Sequence, residues 1–183
     1  MNFNTFAVSL SDLDRCAQAR RVTEVLLEPD LLARQGRLSL RDVHELALAA
    51  RARALRPVLV WDALMPERRL VEIEAELVRL DFSVYAAVRV SDVGAAQWLR
   101  NHQPQMPIHL IAETGNHNLT ALQGWCDYFG PALERLVLSI ELPEEKLIDY
   151  CRRLPVGCEV LGVGPILLFY SPRSLLAQHL SPD

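Results

Sequence analysis

The sequence predicts an α/β protein in which short buried strands alternate with amphipathic helices around a parallel sheet. Three observations predict it. Seven apolar runs rich in Val, Leu and Ile recur along the chain, apolar at successive positions as strands covered on both faces require. Longer stretches with recognisable helix starts separate them. At 183 residues, 50% hydrophobic and 23% charged, the chain is one domain's worth of sequence, apolar enough for a core without staples and unlike a disordered chain.

In order, the runs predict strands over Phe6 to Leu10, Glu24 to Glu28, Pro57 to Trp61, Ser83 to Val90, Ile108 to Ala112, Arg135 to Ile140 and Glu159 to Val163. Between them, Ser39-Leu40-Arg41-Asp42 opens a helix running to about Leu55. The Ser39 hydroxyl caps a free backbone N–H, and Asp42 adds negative charge where the dipole favours it. Val43, Leu46, Ala47 and Ala50 then form one buried stripe. Ser11-Asp12, Pro66-Glu67, Ser91-Asp92, Asn118-Leu119 and Pro143-Glu144-Glu145 start helices in the same way. No linker, low-complexity tract or repeat interrupts the series, so residues 1–183 form a single domain.

Six or seven βα units in order suit a (β/α) barrel or a doubly wound open sheet. The barrel form is TIM-barrel-like and incomplete here, because a full barrel of eight units takes about 250 residues. A missing strand leaves two open edges that a partner chain, a terminal segment or distortion must cover. The expected partner is therefore a second copy or a related subunit at those edges.

With 19 basic and 23 acidic residues the net charge is -4, so charge does not support nucleic-acid binding. The longest apolar runs, such as Gly162 to Tyr170, fall short of the roughly 20 residues of a membrane helix, and the first residues lack the basic start of a secretory signal. The expectation is a soluble cytoplasmic protein without a membrane. Cys16, Cys126, Cys151 and Cys158 never form a Cys-x-x-Cys pair, so they read as ordinary reduced thiols, with no metal and no cofactor expected.

An acid recurs at the carboxyl end of the predicted strands: Glu28, Asp62, Asp92, Glu113 and Glu141. Parallel architectures bring those ends to one face, where ligands bind. Such carboxylates either work as acid, base or cation ligands or cap the helices that follow, and Asp92 has the position of a cap. Asn116, His117 and Asn118 add amides and an imidazole in one short loop, suited to a small polar ligand, although Asn118 also stands where a cap belongs. His109 points into the layers of the core. No phosphate-binding Gly-rich loop and no Gly-x-Ser-x-Gly elbow occurs.

Several segments together resemble the collagenase-like peptidase family U32. They are Val90-Ser91-Asp92-Val93-Gly94 with Pro107-Ile108-His109-Leu110, then Glu113, Asn118 and Trp125; Leu138-Ser139-Ile140-Glu141-Leu142; and Glu159-Val160-Leu161-Gly162-Val163-Gly164 running on to Tyr170-Ser171-Pro172-Arg173-Ser174. Gly36-Arg37-Leu38-Ser39 fits the family's early region. The resemblance implies a barrel-like fold and one of several activities: peptidase and hydrolase chemistry, or oxygen-independent hydroxylation in ubiquinone biosynthesis or of RNA bases, with iron-sulfur clusters on cysteines. The chain departs from the pattern at ligand positions, with Leu167 and Ser174 where the family carries cysteines, and Ile140, Glu113, Gly115 and Val163 replace other polar positions. Hydroxyl and alkyl groups do not replace the thiolates that iron needs.

Two readings follow. In the first the chain is a binding or accessory protein without a cluster, its mouth holding a polar ligand around Asp62, Asp92, Asn116, His117, Tyr170 and Ser171. In the second it is an enzyme using Glu113 or Glu141 as base, Asn118 to orient substrate and Arg173 to grip an anionic group.

Overall fold

A computed structural model describes residues 1–113 and 116–164. The strands are β1 (Phe3–Phe6), β2 (Val22–Leu27), β3 (Arg56–Trp61), β4 (Ala87–Val90), β5 (Ile108–Ala112), β6 (Leu133–Leu138) and β7 (Gly157–Glu159). The helices between them are α1 (Leu10–Gln18), α2 (Leu40–Ala52), α3 (Glu67–Arg79), α4 (Val93–His102), α5 (Leu119–Phe129) and α6 (Glu144–Arg153). Every neighbouring pair of strands runs parallel, in the order β1-β2-β3-β4-β5-β6-β7. The sheet curls into an open, TIM-barrel-like half-barrel, as the sequence predicts. Side chains of its first and last strands meet, Asn4 Nδ2 donating to Glu159 Oε2 at 2.7 Å, with no backbone ladder between β1 and β7 among the described residues.

Period-two alternation explains why the strands read as continuous apolar runs. On β3, Leu59 and Trp61 join the large cluster under the helices. Val58 and Val60 join Leu26, Ala33 and Ala87 in a smaller cluster inside the curl. Val25, Leu27, Leu59, Trp61, Ile73, Leu77, Leu99, Leu122, Leu136 and Leu138 are all buried. Burying each such side chain contributes roughly 1.5–3 kcal/mol, which is why the outer layer supplies most of the hydrophobic stabilisation.

β2 and β3 begin one or two residues earlier than expected, and four other strands differ for local reasons. The first strand lies earlier, at Phe3–Phe6, because Ser9 caps α1: its hydroxyl accepts from the Asp12 N–H at 3.2 Å, and Leu10 is already helical. In the predicted Ser83 to Val90 strand, only Ala87–Val90 is extended. Asp81 accepts from the Ser83 N–H at 2.9 Å and folds the first part into a single 3-10 turn. β6 stops at Leu138 because Ser139 begins a turn, its carbonyl accepting from the Leu142 N–H. The last strand is Gly157–Glu159 rather than Glu159 to Val163, its register set by pairing of Leu136 with Cys158.

Ser39 caps α2 in a full capping box with Asp42, as predicted. The helix ends at Ala52 rather than Leu55 because Ala54 takes a left-handed φ of 58° and the Leu55 N–H turns back to the Ala50 carbonyl. No helix among the described residues is long and apolar enough to cross a membrane.

Candidate functional site at the barrel mouth

Parallel strands place all their outgoing loops on one face, and the loops after β2, β3 and β4 are tied together there. The chain leaves β2 at Glu28, and its backbone returns so closely that a side chain on Gly36 would stand 2.2 Å from the Pro29 carbonyl oxygen. Only glycine fits that approach. The same loop brings Arg34 onto Asp62, whose two oxygens accept from the Arg34 backbone N–H and Nε, both at 2.8 Å. Ser91, at the end of β4, donates its hydroxyl to the Asp62 carbonyl at 2.7 Å. Asp92 accepts from Ala95 N–H at 2.9 Å, capping α4, and from Met65 N–H at 3.3 Å. Outside this group an open cleft of about 380 Å³ is lined by Asp30, Arg34, Leu64, Pro66 and Arg69 among others.

Glu28 stands apart from these bonded acids. Burial, and next the Asp62 carboxylate, push it above its ordinary range, while Arg34 and Arg89 pull the other way. Such a shift marks a carboxyl whose charge the surrounding fold does not neutralise fully.

The other half of the rim is tied just as firmly. Asn118 caps α5 through the Ala121 N–H at 2.9 Å, and Asn116 Oδ1 accepts from Trp125 Nε1 at 2.8 Å. Tyr150 donates its hydroxyl to the His117 carbonyl at 3.2 Å, and His117 Nε2 lies 3.2 Å from an exposed Glu141. Glu113 is half-buried at the end of β5. The structure thus gathers the predicted residues into two linked groups, Asp62 with Asp92 and Asn116 with His117, Asn118 and Glu141. Tyr170, Ser171 and Arg173, with Leu167 and Ser174, lie outside the described residues.

The sequence reading missed a belt of charge inside the curl, below the mouth. Register pairs Asn4 with Glu24 and Glu24 with Arg56 in one set, and Arg89 with His109 and His109 with Arg135 in another; Arg89 faces Val60, four residues beyond Arg56, so side-chain bonds rather than register join the two sets. Arg135, on β6, bonds Glu24 on β2 at 2.5 and 3.0 Å and Glu159 at 3.1 Å. Arg56 bonds Glu24 at 2.6 Å and Glu134 at 2.9 and 3.0 Å, and Arg89 bonds Glu159. His109 is fully buried, as expected, but its neighbour is polar: Nε2 lies 3.2 Å from Glu134 Oε1, while Nδ1 has no partner. The bond to His109, opposed by burial and assisted by Arg56, holds Glu134 at about 2. Burial raises Glu159, but Arg89, Arg135 and Asn4 outweigh it and leave it below its ordinary value. A charged or imidazole residue inside several otherwise apolar strands, Glu24, Arg89, His109 and Arg135, was the available signal.

Glu24, His109 and Glu134 each offer an atom within 4.8 Å of the others, a spacing that suits a cation. Arg56 and Arg135 already occupy the carboxylate oxygens there, so the group is an ion network and not a cation cage. The described cysteines do not fit a cluster either. No set of three sulfurs is close enough to share one metal among the described residues.

With this geometry in hand, the comparisons are specific. The sequence model of Peptidase family U32 matches residues 28–182. The tRNA hydroxylation protein P of Escherichia coli (strain K12) is 30% identical over 96 residues, covering 52% of this chain and 20% of that protein. This match therefore spans about a fifth of the relative's length. The structure of the U32 peptidase Mk0906 superposes with a TM-score of 0.63 at 11% identity, covering 87% of this chain and 68% of the other, which is a likeness of fold.

Proposed function

The chain belongs to peptidase family U32, and from that premise we propose that it is a binding or accessory member whose barrel mouth holds a small polar ligand, without an iron-sulfur cluster of its own. One observation carries this reading: Asp62 and Asp92 among the strand-end acids, and the loop amides Asn116 and Asn118, are held in structural bonds, while the belt beneath them pairs opposite charges. Asp62 holds Arg34, Asp92 and Asn118 cap helices, and Asn116 holds Trp125. Chemistry needs groups free to change protonation or ligation; recognition needs groups held still. Glu28, Arg34 and Arg89 then supply the polarity that a ligand would meet.

The test is purification of the full chain without oxygen, iron and acid-labile sulfide analysis, and calorimetric titration with the four ribonucleosides, chosen because of the tRNA-modifying relative. Substoichiometric iron with saturable nucleoside binding is the expected result. Stoichiometric iron and sulfide would overturn the reading.

A second reading, an enzyme of the hydroxylation or peptidase type, is favoured by Glu28 alone, because burial and Asp62 raise its proton affinity above the ordinary carboxylate range. Turnover of tRNA or peptide lost in Glu28→Gln, with the fold intact, would establish it. The open edges also support a partner chain: Phe3, Phe6, Val160 and Leu161 are 47%, 50%, 49% and 44% exposed beside β1 and β7. A concentration-dependent mass above one chain by light scattering checks that; a monomer at all concentrations excludes self-pairing.

A further inference from the structure

At the end of the barrel opposite the mouth, the turns that lead into β5 and β6 border a second open cleft of about 390 Å³. Pro104 and Pro107 line it from the turn after α4, Phe129 and Pro131 from the turn after α5, and Arg100 and Gln105 are its polar side chains. No acid lines it. Five arginines are partly buried among the described residues: Arg34, Arg53, Arg89, Arg100 and Arg135. Four of them sit on a carboxylate, Arg34 on Asp62, Arg53 on Asp14, Arg89 on Glu159 and Arg135 on Glu24. Arg100 has no side-chain hydrogen bond or ion pair among the described residues. Its guanidinium lies over two rings instead, 5.0 Å from the centre of Tyr128 and 5.7 Å from that of Phe129.

The rings are themselves fixed. Tyr128 donates its hydroxyl to Gln97 Oε1 at 2.7 Å, and Gln97 Nε2 donates to Asn101 Oδ1 at 2.9 Å, so a chain of bonds along α4 holds the Tyr128 ring beside Arg100. Phe129 stands edge-on to Tyr128, their centres 4.9 Å apart, and is buried. A guanidinium over an aromatic ring keeps its N–H donors in its own plane, where a planar acceptor can reach them. The cleft thus presents a charged fork that no described acid occupies, beside proline rings that lose no rotamer freedom when covered.

We propose that this cleft binds a small monocarboxylate with an apolar body, the carboxylate accepting from the Arg100 fork and the body packing on Pro104, Pro107 and Pro131. A carboxylate matches the fork in a bidentate pair, which adds direction to the attraction of opposite charges. A dianion fits less well, because α4 and α5 both end here and their last carbonyls carry partial negative charge. The lining holds one cation and neither an acid nor an imidazole, so the cleft recognises a ligand and performs no proton transfer on it. Its position at the amino ends of the strands makes it independent of the mouth.

The experiment titrates the isotope-labelled full chain with phenylpropionate and follows backbone amide and arginine Nε–H resonances by NMR. The expected result is saturable shifts with a Kd of roughly 1 mM, centred on Arg100 and on residues 103–107 and 128–132. Phenylpropionamide, alike in shape but uncharged, should bind about tenfold more weakly, and Arg100→Gln should weaken binding of the acid by a similar factor. Arg100→Lys keeps the charge without the fork and should fall between Arg100→Gln and the unaltered chain. Shifts centred on Asp62 or Asn116, equal binding of acid and amide, inorganic phosphate binding as tightly as the acid, unchanged binding in Arg100→Gln, or no saturation below about 50 mM would each overturn the proposal. The acid, amide and phosphate titrations of the unaltered chain decide the question even where a variant fails to fold.

Discussion

The belt and the rim of this barrel are both polar, yet they are built on opposite plans. In the belt, partners come from distant parts of the chain: Asn4 with Glu159, Glu24 with Arg135 and Arg56 with Glu134 are 155, 111 and 78 residues apart. At the rim, two of the bonds are local caps that span three residues, and the others span no more than 33. Buried charge is costly unless it is met by opposite charge, so the belt forms only when the whole sheet has curled. Caps form with the helix they start. The belt therefore reports on closure of the fold, and the rim on its local order.

Four variants break or sharpen that contrast. Arg135→Ala should have the largest effect, because it leaves Glu24, whose side chain is 4% exposed, with Arg56 as its remaining cation and takes one of two arginines from Glu159. A loss of about 3–5 kcal/mol in urea unfolding is expected. Acid should act on the same belt. Glu134 sits at about 2 against 4.5 when unpaired, so its contribution is complete above 4.5 and fades as pH falls toward 2; Glu134→Gln should flatten that part of the stability profile.

At the rim, Asp92→Ala removes one cap and one loop bond and should cost about 1 kcal/mol, read as a shift in thermal midpoint with no change in curl. Glu28→Gln should move the other way. A carboxyl raised in the fold weakens stability where it is ionised, so the variant should be slightly more stable at neutral pH, the gap closing as pH falls through 4.5. A destabilised Glu28→Gln would mean that its charge is held by the fold and would remove it from the candidate site.

What the sequence made legible follows the same division. The parallel α/β plan, the capping serine at residue 39 and the caps at Asp92 and Asn118 are local, set by neighbours within one turn. The strand ends were less legible because a single polar contact moves them: Asp81 turns an apolar run into a 3-10 segment, and Ser9 starts α1 early. The rim acids were located correctly along the chain, but Asp62's bond to Arg34 depends on a loop whose path no periodicity encodes. The belt was invisible until the bonds of Arg135 to Glu24 and of Arg89 and Arg135 to Glu159 were known, since each residue alone is one polar residue in an apolar strand.

A gap bridged by one amide and one carboxylate is also a door. The amide hydrogens of β1, laddered only to β2 among the described residues, should trade with deuterated solvent well before those of β3 to β5, which are clasped from both sides. Release of β1 would leave one edge of β2 without its ladder among the described residues.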